Sequence, residues 1–489
     1  MPFSVEGFFF GRIYFGKYFL YRKIIGGKYM DSILKWVVLA AAVLMYVLVI
    51  AFQEKKVWFT SIAAVLTITL AIIFPGIIFK ADGETTGRLF ALSHSFGTLI
   101  NWNVMMIYVG AMTIAALFLY SKVPAKIADA LVSIAPSTGV AMVFILAMTG
   151  IISIFVENVA TVLVMAPIAL SLCKKLKMNP TMFMIGLAVM SNLEGTATLV
   201  GDPPSMIFAA EAGYNFNDFF VHDGRLSIFF IIQAGLLTGC VFFYTMFAKY
   251  RDKTEVETEP VISSFPAVLM LLMIFGLAAL SFVSPALEKV LPAAVMKMSS
   301  GGFVMILAVC GILWYLLNQK KSSSETWELI KGLDWETIFF LCGIFVMVGA
   351  IAGVGLLDDF AAFLVTKTGG SKFIGFIVIL VVSIVISGFV DNVPYIMVML
   401  PVAKKMALGL GLVDPVTGVG AELLMFALLV GSCLGGNLTP FGASANVVAM
   451  GIVKREGYPM NFGKWLKVGG TFTILTTAAS AIVLWLIWA

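Results

Sequence analysis

Four carboxylates lie inside strongly apolar stretches of this sequence, where charged side chains are rare. Glu157 and Asp391 each precede an asparagine in the middle of an apolar run, and Glu194 and Asp202 flank a short segment rich in glycine. A carboxylate surrounded by apolar residues is costly, and it is retained where it carries a proton, an ion or a substrate. The pattern therefore predicts that at least two of these carboxylates bind protons, ions or substrate.

Helix-breaking residues surround one pair of these carboxylates. The stretch EGTATLVGDPPSM at 194–206 contains two glycines and two prolines between apolar runs. Such residues unwind a helix and free backbone N–H and C=O groups, which is unfavourable in lipid unless those groups bind something. The two half-helices then direct their partially charged ends at one spot. A single break is usually a structural kink, so the functional interpretation depends on whether the break recurs.

The composition places these residues in a membrane. Of 489 residues, 61% are hydrophobic and only 12% are charged. Apolar runs of about 20 residues, long enough to cross a bilayer, recur along the whole chain. The formal net charge of +5 comes from the loops and indicates no nucleic-acid partner. The sequence is therefore that of a polytopic helical membrane protein.

The sequence contains no pattern typical of a membrane-embedded enzyme. Its five cysteines occur singly in apolar runs, which gives neither a disulfide framework nor a thiolate metal site, and it has only two histidines. Cys433 precedes a glycine-rich stretch and is expected to pack rather than to bind a ligand. The HExxH and GxSxG patterns are absent. We therefore expect no enzymatic activity, no catalytic residue and no cofactor.

The break recurs because the chain contains an internal repeat. VENVATVLVMAPIALSLCKKL at 156–176 matches VDNVPYIMVMLPVAKKM at 390–406, so that the two acidic–asparagine pairs align. Farther along, GTATLVGDPPS at 195–205 aligns with GNLTPFGASAN at 436–446. Matches in the same order on both halves indicate a duplicated fold, and a duplicated break favours a binding site over a structural kink.

The two halves predict an all-α fold of two inverted-topology repeats. Each repeat is expected to hold a re-entrant helical hairpin, with the acidic–asparagine pair at its tip, and a broken transmembrane helix. The chain is predicted to begin with a basic and aromatic interfacial segment at 1–32. Repeat 1 follows at 33–248, with its hairpin at about 140–173 and its broken helix at about 181–212. A central cytoplasmic loop at 249–264 leads to repeat 2 at 265–489, with its hairpin at about 373–406 and its broken helix at about 421–454. An odd number of crossings in each half forces opposite orientations on the repeats.

The lysines and arginines of the loops set the predicted orientation. With the central loop on the cytoplasmic side, more of them fall on that side than on the other, as the positive-inside bias requires. The basic N-terminal segment does not follow this pattern, because the predicted spans place it outside. The expected location is the cell inner (plasma) membrane, which the chain crosses many times.

Several of these motifs resemble those of a known group. GTATLVGDPPS resembles the signature of the arsenite-efflux permeases and of the related melanosomal P protein, and ENVATVLVMAPI and DNVPYIMVMLPV resemble the hairpin-tip motifs of that group. The likeness extends from about residue 33 onward and is specific to the ion transporter superfamily. It implies a homodimer in which hairpins and broken helices form a transport domain that moves as an elevator along a scaffold domain.

The repeat and the resemblance together place a substrate or ion site at the hairpin tips and the helix breaks. The residues expected to form it are Glu157, Asn158, Thr161, Asn192, Glu194, Gly195, Thr196, Thr198, Gly201, Asp202, Asp391, Asn392, Gly436, Asn437, Thr439, Gly442, Ser444 and Asn446. Na+ at the hairpin tips is the only metal expected there, and the coupling ion is H+ or Na+.

The charges near the predicted site limit its substrate. Taken together, the two hairpin tips and the two helix breaks carry four carboxylates but neither Lys nor Arg. A permanently anionic substrate is unfavourable there unless protons or cations neutralise it. The sequence therefore favours proton-coupled efflux of a small inorganic or hydroxylated solute such as arsenite or antimonite, which are neutral near pH 7. The alternatives are a Na+/H+ antiporter, a Na+-coupled dicarboxylate or citrate carrier of the same superfamily and, with least support, an ion channel.

Overall fold

The computed structural model describes residues 27–80, 88–253, 260–290, 292–414, 420–458 and 460–489. Residues 1–26, most of the predicted interfacial segment, lie outside this part of the chain, and so do residues 254–259 of the predicted central loop.

Most of the described chain is helical. The helices are α1 Gly27–Ala51, α2 Lys56–Ile73, α3 Arg88–His94, α4 Trp102–Tyr120, α5 Val123–Ile134, α6 Thr138–Ser153, α7 Asn158–Lys175, α8 Thr181–Gly195, α9 Pro203–Ala212, α10 Ile228–Phe247, α11 Phe265–Leu287, α12 Ala293–Met296, α13 Ser299–Leu317, α14 Ser323–Lys331, α15 Trp335–Gly353, α16 Leu356–Lys367, α17 Lys372–Ser387, α18 Asn392–Gly409, α19 Glu422–Gly435, α20 Ser444–Arg455, α21 Phe462–Trp465 and α22 Thr471–Trp488. Single turns of other helical types lie at Gln53–Lys55, Ser95–Leu99, Asn217–Phe219, Gly436–Leu438 and Leu466–Gly470. The strands β1 Val221–His222 and β2 Arg225–Leu226 form an antiparallel hairpin.

Nine helices within the described residues are long and apolar enough to cross a membrane. They are Tyr29–Ala51, Lys56–Ile73, Trp102–Tyr120, Asn158–Lys175, Ile228–Phe247, Phe265–Ser284, Ser299–Leu317, Trp335–Gly353 and Phe462–Trp488. Exposed large apolar side chains, among them Trp36, Leu237, Phe275 and Leu486, cover their outer faces. Such a surface is stable against lipid and not against water, which agrees with the predicted polytopic membrane protein.

The described chain divides into two compact units. The first comprises the described residues up to Ile100 together with Phe339–Phe360, and the second comprises Asn101–Ile338 and Ala361–Ala489. Inside the first unit, Gly343 of α15 lies so close to Thr60 of α2 that a Cβ atom would be 2.8 Å from its side chain. The second unit holds both hairpins and both breaks. These two compact units do not coincide with the predicted repeats at 33–248 and 265–489, and the division into repeats stays a prediction.

The second unit contains the predicted series of elements twice. α6 and α7 form a hairpin with a tip at residues 154–157, and α17 and α18 form another with a tip at 388–391. A broken helix follows each hairpin, α8 and α9 in the first series and α19 and α20 in the second, and α10 and α22 complete the two series. The hairpins and broken helices of the predicted fold are therefore confirmed.

Packing follows the same duplication. α6 and α7 both pack on α8, as α17 and α18 both pack on α19, and α10 lies against α8 as α22 lies against α19. The two series also cross over, because α7 packs on α20 and α18 packs on α9. Each hairpin thus contacts the first half of its own broken helix and the second half of the other one. This exchange brings both tips and both breaks into one region.

Polar residues at the helix starts explain why the hairpins turn where they do. The side chains of Ser137 and Ser371 cap α6 and α17 by accepting from the backbone N–H groups of Val140 and Ile374. At the tips, the acidic residue of each acidic–asparagine pair caps the returning helix. A capped N-terminus needs no further partner for that backbone N–H group, so a helix can begin in the protein interior.

The broken helices are too short to cross a membrane as separate pieces. α8 has 15 residues and α9 has 10, which correspond to roughly 22 and 15 Å, whereas the apolar core of a bilayer is about 30 Å thick. Together the two halves have the required length, and the residues between them lie partway along the span. The interruption therefore falls at membrane depth, where free backbone groups need partners.

Candidate functional site

Two threonine hydroxyl groups fasten the hairpin tips to the helix breaks. Thr198, in the first break, donates to the carbonyl oxygen of Ile154 at 2.5 Å, and Thr439, in the second break, donates to that of Gly388. Both threonines are buried. Thr198 and Thr439 are matched by the internal repeat, and so are the two carbonyl groups. The tips therefore end at the level of the breaks, as a re-entrant hairpin must.

Serines add a second pair of links between tip and break. In the first series, the hydroxyl oxygens of Ser153 and Ser191 lie 2.8 Å apart, and Ser153 also donates to Oδ1 of Asn158 at 2.7 Å. In the second series, Ser387 donates to the carbonyl oxygen of Ser432 at 2.5 Å. These hydrogen bonds hold the end of the first helix of each hairpin against the first half of its broken helix, and in the first series they give the Asn158 amide a fixed position.

Close backbone approach explains the glycines of the motif. A Cβ atom on Gly195 would overlap the amide of Asn158, and one on Gly201 would overlap the carbonyl group of Gly195. In the second break, a Cβ atom on Gly442 would lie 2.5 Å from the carbonyl oxygen of Gly436. A side chain has no room at these positions, because the tip lies against Gly195 and the break folds back on itself at Gly201 and Gly442.

Three asparagines join the two breaks to each other. Asn192, on α8, donates to Oδ1 of Asn437 at 2.7 Å and to Oδ1 of Asn446 at 2.9 Å. Asn446 in turn donates to the carbonyl groups of Gly436 and Thr439, and so satisfies backbone groups that the break leaves free. All three amides are buried. They form a continuous polar connection between the first and second repeats.

Glu194 is a completely buried carboxylate at the end of α8. Its Oε2 accepts a hydrogen bond of 2.8 Å from Gln233 of α10, whereas its Oε1 has no hydrogen-bond partner among the described residues. Gly150 makes room for this side chain, because a Cβ atom there would lie 2.8 Å from the glutamate Cγ. A buried oxygen without a donor is the place where a proton or a cation is expected.

Asp202 occupies the start of the second half of the same broken helix. It is 1% exposed. Its Oδ1 caps α9 by accepting from the backbone N–H of Ser205 at 2.9 Å, and its Oδ2 has no hydrogen-bond partner in the described chain. The thiol of Cys433, from the other broken helix, interacts with this carboxylate. From the sequence, Cys433 is expected only to pack, and its position beside Asp202 is seen only in the structure.

The acidic residues at the tips have a different environment. Glu157 and Asp391 are partly exposed, and each caps its helix by accepting from a backbone N–H group, at 3.0 Å in both cases. The Glu157 carboxylate interacts electrostatically with Asp334 and Asp202. Asp334 caps α15 and accepts a hydrogen bond of 3.2 Å from the Tyr108 hydroxyl group.

The remaining predicted residues occupy three kinds of position. Thr161 and Thr196 are buried and donate to backbone carbonyl groups within their own series, those of Val156 and Asn192. Asn392 is partly exposed at the second tip, and Ser444 is exposed at the first position of α20. Every predicted residue therefore lies at a tip or a break or in the adjoining turn of a helix, and contact with substrate stays a prediction for each of them.

The sequence analysis missed several residues that surround these carboxylates. They are Gln233, Asp334, Tyr108, Ser153 and Ser191. Gln233 and Tyr108 lie in ordinary apolar spans, where one polar side chain gives no signal of its own. Asp334 had a signal that could have been used, because a lone acid directly before an apolar span is a typical helix cap.

The chemistry of the region follows from its unpaired atoms. Oδ1 of Asn192, Oε1 of Glu194 and Oδ2 of Asp202 are all buried acceptors for which the described residues supply no donor. A carboxylate or another fully deprotonated group cannot satisfy such atoms, because it brings only further acceptors. A proton, a metal cation or a solute with hydroxyl groups can satisfy them. The arrangement is suited to bind and release species of that kind.

Comparisons with known proteins agree with a membrane transporter. The model of the citrate transporter family (CitMHS) matches residues 34–431. An uncharacterized transporter of Mycobacterium tuberculosis is 30% identical over 398 residues, which are 81% of this chain and 88% of that protein. The P protein of Homo sapiens is 26% identical over 408 residues, covering 67% of this chain and 46% of that protein. The solved structure of the YdaH transporter of Alcanivorax borkumensis matches with a TM-score of 0.55 at 14% identity, covering 87% of this chain and 97% of that chain.

These matches confirm three of the predictions made from the sequence. The predicted relation to the P protein and to the ion transporter superfamily is confirmed. The similarity to the YdaH structure, at its low identity, concerns the fold alone and confirms the predicted polytopic helical fold. The matched proteins are membrane transporters, which also confirms the prediction that the chain is not an enzyme.

Proposed function

Because the chain belongs to the citrate transporter family of the ion transporter superfamily and is therefore a secondary membrane transporter, we propose that it exchanges a small hydroxylated solute for protons. Arsenite and antimonite are the substrates proposed first, since they are small neutral hydroxides near pH 7. The observation that carries the proposal is the set of three buried acceptor oxygens at the helix breaks that find no donor in the described chain.

The proposed substrate supplies hydrogen bonds that the protein lacks. A neutral hydroxide carries several O–H donors and no charge, so it can satisfy buried acceptors without the desolvation cost of an ion. The asparagines that connect the two breaks provide a polar surface for it. An anion would be repelled by Glu194 and Asp202, and the tips and breaks contain no Lys or Arg to offset that repulsion. The low dielectric of the interior strengthens it.

The two buried carboxylates are the proposed proton carriers. Each of them uses one oxygen for a fixed hydrogen bond and leaves the other oxygen without a partner among the described residues. Protonation of that second oxygen removes the buried charge and creates a donor. A solute that donates hydrogen bonds to the same oxygens competes with that proton. This competition would couple solute movement to proton movement in opposite directions.

A second candidate is a Na+-coupled carrier of citrate or a dicarboxylate, and one feature favours it. Four helices, α7, α9, α18 and α20, begin at the tips and breaks. Helix N-termini attract anions, and the family model is described as a citrate transporter. Cations bound at the acidic residues would have to neutralise such a substrate. The third candidate is a Na+/H+ antiporter, for which Na+ is itself the substrate.

The proposal includes the assembly expected from the resemblance. The transporter is proposed to act as a homodimer in the cell inner membrane, with the hairpins and broken helices moving together as an elevator. The hydrogen bonds between each tip and its break support movement as one body, because separation of the two would expose buried hydroxyl and carbonyl groups. Bound Na+ at the tips, if it is used, would move with this body.

The test is a flux assay in proteoliposomes with arsenite, citrate and Na+ offered separately. We expect arsenite flux driven by an imposed pH gradient and unaffected by Na+. Citrate flux that requires Na+ would instead establish the second candidate, and Na+ flux alone against a pH gradient would establish the antiporter. Single-channel conductance in planar bilayers would exclude a carrier altogether.

A substitution at Glu194 tests whether this carboxylate carries the coupled proton. Glu194→Gln keeps a side chain of the same shape but cannot take up or release a proton. We expect it to lose the response to the pH gradient, and we expect the control Glu328→Gln, which changes an exposed carboxylate on α14, to retain it. Normal gradient-driven flux in Glu194→Gln would contradict the assignment of Glu194 as a proton carrier.

A further inference from the structure

A second polar cluster lies away from the tips and breaks, where the β-hairpin meets the start of α19. Nε2 of His222 is 3.4 Å from Oδ2 of Asp223 and 3.9 Å from Oε1 of Glu422. The three candidate ligand atoms all lie within 4.8 Å of one another. In a tetrahedral zinc site with bonds of roughly 2 Å, neighbouring ligand atoms are about 3.3 Å apart. Small side-chain movements would bring this cluster to that spacing.

The local fold holds the cluster in position. Asp223 and Gly224 form the turn between β1 and β2, and both have left-handed backbone angles, with φ of 49° and 72°. Asp-Gly is a favoured pair for such a two-residue turn. The His222 ring lies against the ring of Tyr214, with 4.1 Å between centroids. Glu422 is 5% exposed, and its other oxygen accepts from the backbone N–H of Gly420 at 2.6 Å.

The histidine has the support that metal-bound histidines have. Its Nδ1 lies 3.0 Å from Oδ1 of Asp218, which leaves Nε2 to face the other two carboxylates. A carboxylate on the far nitrogen fixes the ring and its tautomer, and this arrangement recurs in zinc sites. Three carboxylates around one imidazole also repel one another, and a divalent cation would remove that repulsion.

An unpaired atom gives independent support. The Tyr214 hydroxyl group is buried and has no hydrogen-bond partner in the described chain. The carboxylates of Glu422, Asp218 and Asp223 interact electrostatically with this hydroxyl group, which places it beside the cluster. A water molecule on a bound metal ion is the kind of partner that this hydroxyl group lacks.

We propose that His222, Asp223 and Glu422 form a binding site for a divalent transition metal of the zinc class, with Asp218 as a positioning residue. The imidazole ligand selects zinc-like metals over Mg2+ and Ca2+, which prefer oxygen ligands only. A cavity of about 450 Å³ beside the cluster is lined by Asp223 and by Arg225, Lys372 and Asp414. Two protein carboxylates and one imidazole leave a fourth position for water.

The position of the site indicates what the metal would do. His222 and Asp223 follow the first broken helix, and Glu422 begins α19, the first half of the second broken helix. The far end of α19 carries Cys433, which interacts with Asp202. A bound metal would therefore tie the segment that follows the first broken helix to the start of the second broken helix, and would restrain a helix that reaches the candidate transport site. We expect bound Zn2+ to stabilise the protein and to slow any movement of α19.

The experiment measures Zn2+ binding to the full chain in detergent, by competition with a zinc indicator and by thermal unfolding with ZnCl2, MgCl2 or no added metal. The wild type is expected to bind one Zn2+ per chain and to gain thermal stability with Zn2+ but not with Mg2+. His222→Gln and Asp223→Asn are expected to lose at least about 100-fold in affinity, and Asp218→Asn about 10- to 100-fold, as is usual for residues that support a ligand. Asp223 is exposed, so its variant keeps the test valid if His222→Gln folds poorly.

The chain offers a matched control. His94→Gln changes its other histidine and is expected to bind Zn2+ like the wild type. Absence of Zn2+ binding in the wild type, undiminished binding in both His222→Gln and Asp223→Asn, or equal stabilisation by Mg2+ would each overturn the proposal. Because binding is measured without transport, the result is independent of the proposed substrate.

Discussion

The two helix breaks share one architecture and differ in charge. Thr198 and Thr439 make equivalent hydrogen bonds to the hairpin tips, and glycines permit the same close backbone approach in both breaks. The first break carries Glu194 and Asp202, whereas the matching positions of the second are Gly435 and Ala443. The framework was duplicated, and the buried negative charge is found in only one copy.

The difference assigns separate tasks to the two copies. The second break contributes amides, Asn437 and Asn446, which hydrogen-bond to Asn192 and to free backbone carbonyl groups. It can therefore form a neutral polar surface without changing its charge. The first break contains the groups that can gain and lose protons. Coupling is thus expected to depend on repeat 1, while repeat 2 completes the binding surface and preserves the shape.

The largest expected effect comes from removing a charge of the first break. Asp202→Asn keeps an oxygen that can cap α9 but removes the titratable group. We expect pH-gradient-driven flux to fall by more than about tenfold, which corresponds to ~1.4 kcal/mol, with normal amounts of folded protein. The measurement is the proteoliposome assay, with Glu328→Gln as the control. Unchanged flux would mean that the charge difference between the breaks has no role in coupling.

The matched glycines Gly195 and Gly436 offer the next test. Alanine at 195 would overlap the Asn158 amide, whereas alanine at 436 would place its Cβ 3.0 Å from the nearest atom, the carbonyl oxygen of Gly442. Overpacking in a well-packed interior costs about 1–3 kcal/mol, and we expect Gly195→Ala to lose more thermal stability in detergent than Gly436→Ala. An equal loss in the two variants would show that the breaks are equally tight.

Thr198→Val and Thr439→Val test a feature that the two breaks share, the hydrogen bond from a threonine to a carbonyl group of the hairpin tip. Each variant keeps the side-chain shape and removes the donor to a buried tip carbonyl group, at a cost of about 1–3 kcal/mol. We expect similar decreases in thermal stability for the two variants. If one of them is silent, the two hydroxyl groups are not equivalent and the symmetry of the framework is only apparent.

The smallest effect is expected from restoring a helix cap. Ala443 has the extended backbone of a capping residue, with φ of −146° and ψ of 148°, close to the −147° and 161° of Asp202. Serine in place of alanine at such a position stabilises a helix by about 1 kcal/mol. Ala443→Ser is therefore expected to raise the unfolding temperature slightly without changing flux. A decrease would show that the surroundings of Ala443 do not admit a cap.

The sequence alone allowed the main elements of the fold to be predicted. Apolar runs of membrane length identify spans whatever the details of packing, because lipid excludes unpaired backbone groups. The hairpins and broken helices were predictable because the same polar interruption occurs twice at corresponding positions. Glu194 and Asp202 were identifiable as candidate site residues for a related reason, since each is a charge inside an apolar run beside a repeated interruption.

Only the tertiary structure showed which oxygens lack partners among the described residues and which residues supply the others. Gln233 reaches Glu194, Cys433 reaches Asp202 and Asn192 reaches Asn437 through packing between helices far apart in the chain. Side chains of this kind have no periodic pattern in the sequence, since each is one polar residue in an apolar helix.

The cluster of His222, Asp223 and Glu422 shows the same limit most clearly. Two of its members are adjacent in the chain and the third is about 200 residues away, at the start of another helix. The sequence determined that the chain has two histidines and where its helices begin. That one imidazole and two carboxylates share a space within 4.8 Å was decided by the fold that brings the β-hairpin to the start of α19, because contacts between distant segments depend on the whole fold and not on local sequence.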